Sequence, residues 1–213
     1  MSSSSNLQRV DKKFVLASAS PRRLELLQQL GYRPKTMPVD IDETPLSSED
    51  PIRYVERMAR EKLDKALSLL SDSAGVGQQP VIVLAGDTVC IQGKSILVKP
   101  EDYEDFKRIM TSMSGAKHTV ASSFALGEVV DGKFAVLHLE VVQTDVYFKS
   151  LDASEVRAYW ETGEPADKAG GYGIQGLGAV FVNRIEGSYS NVVGLPLTEV
   201  HRELKSLGVP SKM

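Results

Sequence analysis

Only one cysteine, Cys90, occurs among 213 residues, so no intrachain disulfide can form and a reducing compartment is the matching environment. Within the apolar stretch VIVLAGDTVC it reads as a small buried hydrophobe. No apolar run approaches the ~20 residues needed to span a bilayer. The amino-terminal stretch MSSSSNLQRVDKK lacks the apolar segment of a secretory signal, so cytoplasmic residence is expected. Neither sign of charge dominates. With 25 Lys+Arg against 28 Asp+Glu, the net charge of -3 gives no global attraction to nucleic acid polymers or anionic lipid, and any phosphate ligand needs a local basic site.

Soft-metal chemistry is also missing. His118, His138 and His201 are scattered, no H-E-x-x-H occurs and one cysteine cannot anchor zinc. The G-x-S-x-G elbow of serine hydrolases is absent. Gly86 with Gly93-Lys94-Ser95 imitates a phosphate-binding P-loop, but six residues separate the glycines instead of four, and the GKS lies between apolar runs that look like paired strands. Residues 171–176, GYGIQG, match G-x-G-x-x-G literally. Here, however, a loop enters and a strand leaves, so no helix N-terminus is offered to a pyrophosphate. Oxygen and cationic nitrogen remain, and these suit Mg²⁺ and phosphate.

The pattern of elements is interleaved. A strand over Lys13–Ala17 feeds Ser20 as N-cap, Pro21 at the first helical position and a helix ending near Leu30, with Gly31 beyond it. An acidic, proline-bounded loop follows to Pro51. A helix over about 51–70 has Val55, Met58, Ala59, Leu63, Ala66, Leu67 and Leu70 on one stripe, with Arg60, Glu61 and Lys62 on other faces. SDSAGVGQQP reads as a flexible surface connection. Val81–Ala85 reads as a strand covered on both faces, ending where Gly86-Asp87-Thr88 surface. A helix over 102–113 precedes a hairpin turned by Asp131-Gly132, with strands over 119–130 and 135–149. Then come a helix over 154–162, a glycine cluster, a strand in AVFVNRI, a turn over 187–191 and a closing helix over 197–207. The expectation is a three-layer α/β architecture with a mixed sheet, residues 1–12 forming a flexible segment and 13–209 a single domain.

Ser18-Ala19-Ser20-Pro21-Arg22-Arg23 gathers hydroxyls, guanidinium groups and a helix N-terminus within one turn, which suits a polyphosphate; the plainer account is a capped helix with solvated arginines. Asp87, at the expected carboxyl end of a strand, is placed to coordinate Mg²⁺ or orient water, or simply to serve a turn. Glu43 could share the metal. Lys62 and Lys99 read as surface lysines unless the fold turns them toward the cleft. In the glycine cluster, Lys168 offers a charge, and the Gln175 amide could pair with the C=O and N–H edge of a uracil or thymine ring.

Taken in order, LASASPRR (16–23), VDIDET (39–44), REKLDKA (60–66), AGDTV (85–89), KP (99–100), MSGAKHTV (113–120), GEPADKAGGYGIQG (163–176) and GSYSNVVGLPL (187–197) resemble the Maf family of nucleotide pyrophosphatases. The resemblance implies a two-lobed fold related to inosine triphosphate pyrophosphatase, a nucleotide in the cleft, and hydrolysis of nucleoside triphosphates to monophosphate and pyrophosphate with a divalent cation, Mg²⁺ or Mn²⁺. By position it implies that Asp87 is the proton acceptor and, with Glu43, holds the metal. Ser18, Arg22, Arg23, Lys62 and Lys99 fall at phosphate positions, and Arg23, Thr88 and Gln175 at positions linked to substrate choice. DKAGGYGIQG is similar to the branch preferring dTTP and UTP. Val98 departs from the glycine common before Lys-Pro. The same resemblance leaves open a nucleotide-binding regulator of cell division without turnover, or a pyrophosphatase for modified nucleotides, and implies a homodimer; the balanced charge and short apolar runs argue for no polymer or membrane partner.

Overall fold

The computed structural model describes residues 12–73 and 79–213, so residues 1–11 of the expected flexible segment and 74–78 of the polar connection lie outside it. Seven strands form one mixed sheet. Strands β1 (Lys13–Ala17), β2 (Lys35–Thr36), β3 (Val81–Gln92), β5 (Lys117–Val130), β6 (Lys133–Phe148) and β7 (Val182–Glu186) lie in the order β2-β1-β3-β5-β6-β7, with β4 (Ser95–Leu97) beside β3. β1 runs parallel to β2 and β3; the other pairings are antiparallel.

Alternation along the strands assigns each face its helices. The odd-numbered residues Val15, Ala17, Val83 and Ala85 pack with Ala59, Leu63, Ala66 and Leu67 of α2 (Pro51–Ser73). The even-numbered Leu16, Ile82, Leu84 and Phe124 meet Leu26 and Leu27 of α1 (Pro21–Gln29), Val193 of α5 (Tyr189–Val193), and Val200 and Leu204 of α6 (Leu197–Ser206). Farther along that face, Cys90, Val120 and Val146 meet α3 (Tyr103–Met113) and α4 (Ala153–Glu161). The three-layer α/β expectation holds, and Cys90 is buried as expected.

Local signals act as the sequence suggested in most places. Asp131 and Gly132, at φ of 48° and 73°, turn the β5–β6 hairpin. Asp102 caps α3 by accepting from the Asp105 amide, and Asp152 closes a capping box with Glu155 on α4.

Four expectations need correction. β3 does not end at Ala85 but continues to Gln92, because β5 pairs with it through Ile91 and extends the ladder on its other edge. The side chain of Ser20 makes no capping bond; its amide donates instead to Ser18 Oγ at 3.2 Å. The stretch from Gly187 to Asn191 is not a simple turn, since Ser188 accepts from the Asn191 amide and starts the five-residue α5. β7 begins at Val182, and Leu177–Phe181 is a 3₁₀ segment.

One core group makes stability depend on pH. His118 is buried between Phe148 and Tyr172, with Nε2 2.8 Å from the Tyr172 hydroxyl and Nδ1 unpartnered, and burial pulls its pKa from 6.5 to about 4. The folded state therefore holds fewer protons than the unfolded chain between those values. Stability is complete above pH 6.5 and falls as pH drops toward about 4, by about 3 kcal/mol in all. Urea midpoints of the wild type should decline across that window, and the decline should be largely absent in His118→Phe.

Candidate functional site

The ladder on one edge of β3 has a gap. β1 pairs with it only as far as Ala85, and its pairing with β4 starts only at Cys90, opposite Leu97, so among the described residues no strand pairs with Gly86, Asp87, Thr88 and Val89 on that side. Asp87 thus sits in the middle of a strand, opposite Ser123 of β5, and not at a strand's carboxyl end as the apolar run suggested. The functional consequence is similar, because the end of β1 and the start of α1 open the same edge. Successive residues point to opposite faces, so Asp87 faces α2 while Thr88 faces α1 and α5.

On the α2 face, Lys62 Nζ lies 2.7 Å from Asp87 Oδ1 and 2.6 Å from Glu43 Oε1. Lys62 and Asp87 are largely buried, with side chains 12% and 14% exposed, whereas Glu43 is 59% exposed. Lys62 therefore does not lie on an outer face of α2. It falls four residues after Met58 and four before Ala66, within the stripe that meets the sheet, where Asp87 supplies the partner that a buried ammonium requires. The acidic loop is tied to α2 near this point. Tyr54 donates its hydroxyl to the Glu43 carbonyl at 2.9 Å, and Arg57 holds Glu49 by two 2.7 Å bonds that pull the Glu49 pKa from 4.5 to about 2. Burial, together with Asp87 and Glu43, pushes Tyr54 up to about 12.

On the other face, Arg23 is enclosed. Its Nε donates to the Gly194 carbonyl at 2.9 Å, Nη1 to Ser18 Oγ at 3.1 Å and Nη2 to Thr88 Oγ1 at 3.1 Å. Burial lowers the guanidinium pKa, opposed by the charges of Asp87 and Glu43, so the two faces share one electrostatic site although Arg23 forms no ion pair with either acid. Gly86 leaves the room: a Cβ there would stand 3.0 Å from the Ser123 carbonyl and 3.6 Å from Arg23 Nε. Arg22 turns another way, with Nη1 3.7 Å from Asp167 at the head of the glycine-rich segment.

That segment, a series of 3₁₀ turns between Glu164 and Phe181, is built around one carboxylate. Glu164 accepts from the Tyr159 hydroxyl at 2.7 Å and from the amides of Leu177 and Gly178 at 2.8 and 3.2 Å. A Cβ on Gly176 would overlap that carboxylate, which explains a glycine at this position. Gly176→Ala should accordingly lose about 1–3 kcal/mol of stability, read from urea unfolding, because the carboxylate cannot move without releasing two amides. The backbone of the next strand connection touches this segment, since the Gly170 amide donates to the Val98 carbonyl at 3.2 Å. That contact carries Lys99 close to the glycine cluster. Lys99 and Gln175 are both exposed.

The structure thus brings Asp87, Lys62 and Glu43 together and gathers Arg23, Ser18 and Thr88 on the opposite face, while Arg22 pairs with Asp167 and, among the described residues, Lys99 and Gln175 are exposed without a contact to either group. The carboxylate pair Asp87 and Glu43 is an all-oxygen donor set converging on one cationic atom, which fits a hard divalent ion that completes its shell with phosphate oxygens and water. Sequence reasoning gave no role to Ser122, Asn191, the Gly194 carbonyl or Glu164. The only signal for Ser122 in the sequence is a polar residue between the apolar Val120 and Phe124 on the same strand face, and its partner Thr88 becomes visible only with the β3–β5 pairing.

A family profile described as "Maf-like protein" matches residues 13–207. The chain is 43% identical over 192 residues to a dTTP/UTP pyrophosphatase of Vibrio cholerae, covering 90% of this chain and 96% of that protein. It is 46% identical over 185 residues to a dTTP/UTP pyrophosphatase of Vibrio parahaemolyticus, covering 87% and 92%. Among solved structures, a nucleoside-triphosphatase / dITP/XTP pyrophosphatase from Mycobacterium abscessus aligns at 14% identity with a TM-score of 0.42, over 92% of this chain and 96% of that one.

Proposed function

The chain belongs to the Maf family, and from that premise we propose that it hydrolyses dTTP and UTP to the nucleoside monophosphate and pyrophosphate. The observation that carries the reading is the gap on the β3 edge, where a largely buried carboxylate and a part-buried guanidinium reach opposite sides of one short stretch of backbone.

In this reading Asp87 takes a proton from a water molecule. The water oxygen bonds to the α-phosphorus as the bond from that phosphorus to the bridging oxygen breaks, and pyrophosphate departs with the electron pair. Arg23 and Lys62, already oriented, offset the charge that develops on the phosphoryl oxygens, while Arg22 and Lys99 hold the outer phosphates. Transfer of Lys62 from both Glu43 and Asp87 to a phosphate would leave the two acids available to a cation. Mg²⁺ or Mn²⁺ held by Asp87 and Glu43 would supply charge neutralisation to the triphosphate. Gln175, on the glycine-rich segment, reads the pyrimidine edge.

Among the described residues no helix is long and apolar enough to cross a membrane. The free, buried Cys90 accords with a cytoplasmic setting. A homodimer rests on family resemblance.

The test is incubation of the purified protein with Mg²⁺ and a panel of nucleoside triphosphates, assaying pyrophosphate and orthophosphate separately. Pyrophosphate from dTTP and UTP ahead of CTP and the purines is the expected result. Orthophosphate would make the protein a phosphatase; binding with no product would make it a regulator. In the same assay Gln175→Ala should narrow the dTTP-to-CTP ratio, and an unchanged ratio would remove the amide from base reading.

A further inference from the structure

Arg23 stands at one end of a buried run of hydroxyl groups that has a single consistent direction. Arg23 Nη2 lies 3.1 Å from Thr88 Oγ1, Thr88 Oγ1 lies 2.9 Å from Ser122 Oγ, and Ser122 donates to the Asn191 carbonyl at 2.9 Å. A guanidinium can only donate and a backbone carbonyl can only accept. Ser122 therefore gives its proton to Asn191, Thr88 gives its proton to Ser122, and the lone pairs of Thr88 are left facing Arg23. The Gly194 carbonyl is a longer alternative acceptor for Thr88, at 3.3 Å, and using it would leave the 2.9 Å Thr88–Ser122 contact without a proton between two oxygens. The far end is held firmly, because the Asn191 amide donates to the Val120 carbonyl and Thr144 Oγ1, each at 3.0 Å, tying α5 to β5 and β6. Ser122 and Asn191 are both fully buried, so neither reaches a nucleotide.

We propose that Ser122 is a positioning residue: it orients the Thr88 hydroxyl and, through it, the Arg23 guanidinium that meets the substrate. The inference rests on the reading of Arg23 as a substrate-binding group.

The test is a double-mutant cycle on kcat/KM for dTTP, with calorimetric dTTP affinity and urea midpoints measured on the same proteins. Ser122→Ala should lower kcat/KM about 10-fold, the scale of one lost buried hydrogen bond. In a Thr88→Val background, or Thr88→Ala if the valine variant does not fold, the same change should have almost no further effect. In Thr88→Ser, which keeps the hydroxyl, the full effect should return. Equal losses from Ser122→Ala in all backgrounds, or a loss that follows the urea midpoint alone, would overturn the proposal and leave Ser122 a packing residue. No loss in the wild type would also overturn it. If the wild type turns over no nucleotide, the functional reading fails by itself, and the dTTP affinities of the same set decide the coupling.

Discussion

Asp87→Asn should bind dTTP with near wild-type affinity and lose about 10³-fold or more in turnover, the scale of a removed general base. The amide keeps the shape and a hydrogen-bond acceptor for Lys62 Nζ, now 2.7 Å from Oδ1, so the pocket survives. What disappears is the basic oxygen and half of the carboxylate pair that converges on Lys62. Pyrophosphate release under saturating dTTP and Mg²⁺, set beside calorimetric binding, separates chemistry from affinity. Retained turnover would remove Asp87 from the mechanism. Parallel loss of binding and turnover would make it a structural partner of Lys62.

Arg23→Lys is expected to be nearly as damaging, although it preserves the charge. The guanidinium sends its Nε, Nη1 and Nη2 to three separate acceptors, the Gly194 carbonyl, Ser18 Oγ and Thr88 Oγ1. A lysine ammonium is a compact point charge on a flexible stem and cannot reproduce that planar fork. It is also a poorer ion to bury, and burial already works against charge at this position. Loss of an oriented cationic donor at a transferring phosphoryl group costs about 10²–10³-fold, so kcat/KM for dTTP should fall by that factor. The urea midpoint should fall as well, because at least one of the three acceptors is left without its donor. A lysine variant within threefold of wild-type kcat/KM would show that charge alone is needed and that the fork has no catalytic value.

These outcomes bear on why the acid and the arginine are found where they are. In a strand covered on both faces, a charged side chain is costly unless a partner is supplied from the layer above it. α2 supplies that partner for Asp87 by placing Lys62 in the middle of an otherwise apolar stripe. On the reverse face, α1 and the residues around α5 supply partners to Thr88. The site is therefore part-buried polar machinery on both sides of a sheet, beside the stretch of edge that β1 and β4 leave uncovered.

Sequence alone determined the elements with strong local causes. Pro21 and Gly31 bracket α1, the 3.6-residue stripe predicts α2, Asp131-Gly132 turns the hairpin, and the order of eight short segments points to the family. Each of the first three depends on residues within a single helix or turn, and the family signal on short contiguous segments in a fixed order. Tertiary pairing decided the rest. The apolar run of Val81–Ala85 looked like a whole strand, yet β5 carried the ladder on through Asp87 to Ile91, because interstrand hydrogen bonds are indifferent to the polarity of the side chains they pass. Lys62 looked solvated until Asp87 was opposite it, 25 positions away, and Ser122 had no visible purpose until β3 set Thr88 beside it. Local preference is written in neighbouring residues; a buried charge or hydroxyl is explained only by the distant group that folding brings within hydrogen-bond reach.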